Sequence, residues 1–338
     1  MGECLRAVDV HVHSVPRTLV DRIAAGEFRG VRMVSDGESP VVQFPGMAAS
    51  PPMPPSMLNP SALAEAAASQ HVSLQLLGPW TDLFGYTLPE EASAAWSRAY
   101  NEALAEECAG SPHQQPMATI PLSHPERAAA ELEFAHEQGF RGAMVGTDLP
   151  GLHLGSPELE PVWAAAANLK MPILVHPTHL ELPASLVGAG LKNAVGRAGP
   201  TAVALTRLVY SGVLLRHPEL VVVACHGGGA FVAVAPRVLR NHQLGWSGSD
   251  VDAVASMRRL YFDSVVLDPG LLRYLVDSCG DERFLLGSDL PFPWEPDPVG
   301  TVRRSGLTLD QQSSILRANA RRLYGLKEPA VCGTCAAG

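Results

Sequence analysis

Lysine is scarce in this chain: Lys170, Lys192 and Lys327 are the only three. The arginines are scattered rather than clustered, and the formal net charge is -9. No basic face exists to neutralise a run of phosphates, which excludes a nucleic-acid surface. No stretch approaches the roughly 18 to 20 consecutive apolar residues that a membrane helix needs. Glu3, Arg6 and Asp9 interrupt any apolar region at the N-terminus, so no signal peptide is expected and a cytoplasmic location follows by default. The six cysteines are too few and too irregularly spaced for a disulfide framework. Cys332 and Cys335 form a CxxC, but it stands among Gly, Thr and Ala after the last helical pattern, with no second pair beside it. It reads as part of a disordered tail, 329–338, rather than a redox or zinc site. Also missing is a Gly-rich phosphate loop after the first apolar run, which disfavours a doubly wound open sheet.

What is present is a core. Hydrophobic residues make up 46% of the 338 residues and charged residues 17%, enough apolar surface to bury one large α/β domain. Short apolar runs alternate with longer helical patterns, the signature of repeated βα units. Eight strands are predicted, near 6–11, 72–77, 116–121, 141–146, 171–176, 220–225, 260–263 and 283–288. Most are near-continuous apolar runs, as parallel strands covered on both faces should be. Helical patterns fill 89–108, 125–138, 157–169, 200–216, 229–242, 269–279 and 309–324. The expected architecture is a (β/α)8 TIM barrel over residues 1–328, a single domain. The stretch 14–62 is long for a connection inside a domain and is expected to be a lid or binding-loop insertion after the first strand.

Four signals fall at the C-terminal ends of predicted strands, the rim where barrel enzymes place their catalytic groups. Asp9-Val10-His11-Val12-His13 ends the first; residues two apart on a strand share a side, so His11 and His13 can approach one ion together. His176 ends the fifth. His226, followed by Gly227-Gly228-Gly229, ends the sixth, and the glycines allow a sharp turn and leave space before the imidazole. Asp289 ends the eighth. Three histidine positions and a carboxylate give one ligand more than the three typical of catalytic zinc. Either the site is five-coordinate with water, or one of the four positions belongs to a catalytic partner.

These segments, with ELEPVWAAAANLKMPILVHP, HPELVVVACHGGGAF, YFDSVVLDP and RFLLGSDLPFP, resemble the amidohydrolase superfamily. Within it they are most similar to the metal-dependent decarboxylase branch of the 2-amino-3-carboxymuconate-6-semialdehyde decarboxylases. The resemblance implies His11, His13, His176 and Asp289 as ligands of one divalent metal, zinc first and manganese second. It implies His226 as the acid/base that activates metal-bound water, so that His226 and Asp289 form the catalytic pair. Arg237 would hold a substrate carboxylate across a homodimer interface, and Phe292 would pack against the substrate. Two departures stand out: Gln43 occupies the position of a second substrate-binding arginine, and a tryptophan after the third histidine ligand is replaced near Thr178. Arg29 or Arg32 is a candidate to make up for the missing arginine. Binuclear relatives carry a lysine at the end of the fourth strand, where this chain reads Ala143-Met144-Val145-Gly146-Thr147, which points to one metal. The implied reaction is the non-oxidative decarboxylation of a small unsaturated or aromatic carboxylic acid. Hydrolysis of an amide, ester or lactone by the same metal site is the alternative.

Overall fold

Each of the eight predicted strands pairs in parallel with its neighbour. The computed structural model describes residues 7–327; Cys4, Cys332 and Cys335 lie outside them. Strands β1 (Ala7–His13), β2 (Val72–Gly78) and β3 (Gln114–Pro116) form one run of the sheet. A second run holds β4 (Ala143–Gly146), β5 (Ile173–His176), β6 (Val222–Ala224), β7 (Leu260–Asp263) and β8 (Phe284–Leu285). Bridges between Ala118 and Ala143 and between Val12 and Leu290 join the two runs at both edges. The sheet is therefore closed, and the expected barrel is the observed one.

Two strands are shorter than their apolar runs, because their backbone donors go elsewhere. In the run expected at 116–121, Pro116 and Pro121 have no N–H to give; Ala118 keeps contact by donating to Gly142 O and accepting from Met144 N. Beyond β8, Leu286 N turns to Ile315 O, Gly287 N to Ser264 Oγ and Ser288 N to Asp9 Oδ1. These three donors are satisfied by side chains and a helix, while Val10 N to Leu286 O and Asp289 N to His11 O keep the stretch tied to β1.

The outer layer adds a helix outside the expected patterns, α1 (Pro60–Ser69), and otherwise follows the predicted helices: α2 (Glu90–Cys108), α3 (Pro125–Glu137), α4 (Glu160–Asn168), α5 (Ala198–Ser211), α6 (Phe231–Gln243), α7 (Pro269–Cys279) and α8 (309–323). The pattern at 200–216 reads as one helix, but Gly212 adopts a left-handed φ of 72° and divides α5 from a short turn, Val213–Arg216. Segment 14–62 is folded as a helix (Arg17–Ala24), an antiparallel hairpin (Arg32–Ser35 with Val41–Gln43) and a 3-10 turn (Pro55–Leu58). Phe28 and Phe44 hold this segment on α2 by edge-on contact with the buried Trp96, at centroid distances of 5.1 and 5.2 Å.

At the start of α4, Glu160 accepts hydrogen bonds from Arg216 Nη2 at 2.6 Å and sits 2.7 Å from His217 Nε2. The Arg216 guanidinium, with His217, lowers the Glu160 carboxyl to about 2. A depressed carboxyl pKa adds stability above the unfolded value and loses it as pH falls towards the folded one. The side chain is 39% exposed, so solvent screening holds the effect to about 1 kcal/mol or less. Denaturant midpoints of Glu160→Gln are expected to fall below wild type at pH 7 and to converge with it as pH drops from 4.5 towards about 2.

Candidate active site

The rim of the barrel is assembled from β1 outwards. Every residue of β1 is buried, and Asp9, His11 and His13 fall on one side by the two-residue repeat. Asp9 fastens β1 to the end of β8: its carboxylate accepts from Ser288 Oγ, from Ser288 N at 3.1 Å and from His11 N at 3.0 Å. Burial pushes the Asp9 carboxyl up to about 7, against the pull of these donors.

Above Asp9 the imidazoles converge. His11 Nδ1 lies 2.7 Å from Asp263 Oδ2, His13 Nδ1 3.0 Å from Pro79 O, and His176 Nδ1 3.0 Å from Pro177 O. A carbonyl or carboxylate oxygen can only accept, so each Nδ1 carries the hydrogen and each neutral ring has its Nε2 lone pair free. The Nε2 atoms of His11 and His13 are 3.3 Å apart, and Asp289 Oδ1 is 3.3 and 3.1 Å from them. The His176 ring centre is 5.1 Å from both. Two bare lone pairs at this spacing repel unless a cation lies between them, and the spacing suits nitrogens about 2.1 Å from one shared ion.

The charge states agree. Burial lowers His13, and burial together with the neighbouring imidazoles lowers His176 well below the usual value, so both remain neutral donors. Burial alone would raise Asp289, yet His11, His13 and His226 hold it well below the usual carboxylate range. Burial also opposes a charge on His11, but Cys225 and the Asp289 and Asp263 carboxylates outweigh it and raise that imidazole well above its ordinary value. Imidazole nitrogens and a buried, ionised carboxylate fit a divalent transition metal.

His226 and Asp289 both have left-handed backbones, with φ of 57° and 62°. Such non-glycine conformations cost energy and gather at functional sites. The glycines after His226 are sterically required. A Cβ on Gly228 would meet the Phe262 ring at 2.8 Å, and one on Gly229 would meet Ala198 O at 2.7 Å. This turn aims His226 across the rim, with Nε2 3.5 Å from Asp289 Oδ2. His226 is 20% exposed at its side chain, against 0% for His11 and 1% for His13, so it faces the cavity. His11, His176, His226 and Asp289 each place a donor atom within 4.8 Å of the others.

A cavity of about 440 Å³ opens onto this cluster. Phe292 lines it, its ring centre 5.6 Å from His13, and Val265, Val266 and Leu275 form an apolar wall. The structure thus unites His11, His13, His176, His226, Asp289 and Phe292. Gln43 and Arg237 are apart from them. Gln43 sits on the insertion hairpin, accepting from Arg32 Nη2 at 2.7 Å and donating to Met47 O at 3.0 Å. Arg237 is exposed on α6. Two residues were not singled out from sequence: Asp263, which ends β7 and orients His11, and Arg197, which lines the cavity. For Asp263 the signal was available, since it ends a predicted strand as the other site residues do.

The family profile described as Amidohydrolase matches residues 8–326. A gamma-resorcylate decarboxylase from Rhodococcus jostii (strain RHA1) is 32% identical over 266 residues, covering 71% of this chain and 79% of that protein. A 2-amino-3-carboxymuconate-6-semialdehyde decarboxylase from Dictyostelium discoideum is 25% identical over 266 residues, 75% of this chain and 73% of the relative. Among solved structures, the dihydroxybenzoic acid decarboxylase from Polaromonas sp. JS666, with bound manganese and the inhibitor 2-nitroresorcinol, superimposes with a TM-score of 0.75. It is 20% identical, and the match covers 96% of this chain and 98% of that one.

Proposed function

Because the chain belongs to the amidohydrolase family, we propose that it is a metal-dependent, non-oxidative decarboxylase of a small unsaturated or aromatic carboxylic acid. The observation that carries this reading is the set of imidazole lone pairs and one ionised carboxylate converging on a cavity with an apolar, aromatic wall. Decarboxylation is preferred to hydrolysis because the curated relatives at 32% and 25% identity are both decarboxylases.

His11, His13, His176 and Asp289 are the residues that would hold one divalent ion, with zinc the first candidate and manganese the second. When bound, such an ion supplies Lewis acidity, stabilising negative charge on substrate oxygen and lowering the pKa of coordinated water. His226, facing the cavity, holds the proton that the reaction consumes. The carbon–carboxylate bond breaks, CO2 leaves without charge, and the electron pair left on carbon takes up that proton. Phe292 offers its face to a planar substrate, and the Val265–Val266 wall keeps water from a carboxylate that must lose its charge. Asp9 and Asp263 position the ligands without touching substrate.

Residues 1–328 act as one catalytic domain in this reading, in the cytoplasm and as a homodimer. Arg237, exposed on α6, would reach the cavity of the second copy. Trp246, 75% exposed just beyond α6, supplies apolar surface for such a contact. Gln43, on the insertion hairpin, would contribute a neutral contact to substrate.

The test is CO2 release from 2-amino-3-carboxymuconate-6-semialdehyde and from ortho-hydroxybenzoates, comparing chelator-treated with metal-replete protein. Release that requires the metal supports the reading. A panel without CO2, or a product carrying oxygen from water, transfers the site to hydrolysis.

A further inference from the structure

Of the side chains described around the 440 Å³ cavity, Arg197 is the one arginine or lysine. It stands at the N-cap of α5. Its Nη1 donates to Pro177 O at 2.7 Å and its Nε to Asn193 Oδ1 at 3.3 Å. Both acceptors are neutral. Among the described residues, no carboxylate lies within ion-pair distance of Arg197 and Nη2 has no protein partner. Arg32 bonds to Gln43 on the hairpin and Arg237 lies on the exposed side of α6, so neither fills this role within one chain. A half-buried guanidinium without a counter-ion is costly unless a ligand supplies one. Pro177 O also accepts from His176 Nδ1 at 3.0 Å, so one carbonyl couples Arg197 to the imidazole cluster. Arg197 lines the same cavity as His13, His176, His226 and Asp289, which puts an anion held by it within one cavity with that cluster.

Which anion follows from the chemistry. The departing carboxylate loses its charge as it becomes CO2. An arginine paired with it would bind the starting acid more tightly than the transition state and slow the reaction. A group that keeps its charge from substrate to product can be held at no such cost. We propose that Arg197 binds a second, retained carboxylate, so that the substrate is an unsaturated or aromatic dicarboxylic acid and the product a monocarboxylic acid. This assignment rests on the decarboxylase reading above. The fork geometry of guanidinium and carboxylate, with Nη2 available, suits the pairing.

Calorimetric titration of the metal-loaded protein with isophthalate and with benzoate tests it without turnover. Both probes carry one carboxylate for the metal side, so the ratio of their affinities reports the second. Wild type is expected to bind isophthalate about 10- to 100-fold more tightly. Arg197→Gln is expected to bring the ratio near one, and Arg197→Lys to keep part of it. Loss of a merely structural brace at Pro177 would weaken both probes alike and leave the ratio intact. An unchanged ratio in Arg197→Gln, or no preference in wild type, overturns the assignment. Melting temperature and metal content are checked in each variant, and the lysine variant decides if the glutamine one is unstable. CO2 release from diacids is measured in parallel. If none appears from diacids or from ortho-hydroxybenzoates while the affinity ratio follows Arg197, the decarboxylase reading fails and the anion site stands. If release occurs and KM for diacids is unmoved in Arg197→Gln, the reading stands and the site fails.

Discussion

His226→Asn is expected to lower CO2 release about 10²- to 10⁴-fold, the range over which a positioned acid/base contributes, while leaving one divalent ion bound. The ring sits differently from the other imidazoles. His11, His13 and His176 each spend Nδ1 on a protein acceptor and present Nε2 to a common point. His226 Nδ1 is buried with no hydrogen-bond partner among the described residues, while the ring faces the cavity. A ligand imidazole is normally oriented by a bond at its second nitrogen; one that must exchange a proton with a substrate gains from a less constrained ring. Asparagine keeps a polar side chain of similar reach but cannot take up a proton. Steady-state rates, read beside metal content per chain, separate the two roles. A variant that loses the ion as well as the rate makes His226 a ligand, which its placement within 4.8 Å of His11, His176 and Asp289 permits.

How much of this was legible in the sequence depended on range. The HxH of β1 follows from the two-residue repeat of a strand, and the structure brings the two nitrogens to 3.3 Å. His176, His226 and Asp289 were legible because strand ends were, and strand ends were legible because Val72–Gly78, Ile173–His176 and the rest are bounded apolar runs. Gly227, Gly228 and Gly229 announced a turn, and their contacts give the reason. Asp263 is a different case. Its place at a strand end was legible, but its pairing was not, since its partner His11 lies 252 positions away and only barrel closure joins them. Arg197 sits after a loop, 177–197, whose Gly, Pro and short turns carry no period from which a direction could be read. The absence of Gln43 from the cavity lining was equally hidden, because the hairpin in 14–62 is fixed by Phe28 and Phe44 meeting Trp96, a contact across the sequence.

Asp263 carries the second large effect. Its Oδ2 accepts from His11 Nδ1 at 2.7 Å, and its Oδ1 accepts from Gly227 N at 2.9 Å and Val265 N at 3.1 Å. All three partners are donors, and the carboxyl group is fully buried. Burial alone would raise its pKa, but the His11 bond and nearby His226 lower it, so it remains an acceptor on both oxygens. In Asp263→Asn one oxygen becomes an NH2 group. Whichever way the amide turns, a donor then faces a donor: His11 Nδ1–H on one side, or the Gly227 and Val265 N–H groups on the other. The first orientation releases the tautomer that keeps His11 Nε2 bare for the metal. The second loosens the turn that carries His226. Metal affinity, titrated against a chromophoric chelator, is expected to fall about 10- to 100-fold, the usual cost of losing a partner behind a ligand. Turnover at saturating metal separates the two orientations. A rate that recovers with added metal places the damage at His11, whereas a rate that stays low places it at the His226 turn. Unchanged affinity and unchanged rate would mean that the barrel alone orients His11, and that Asp263 serves only to satisfy the Gly227 and Val265 backbone.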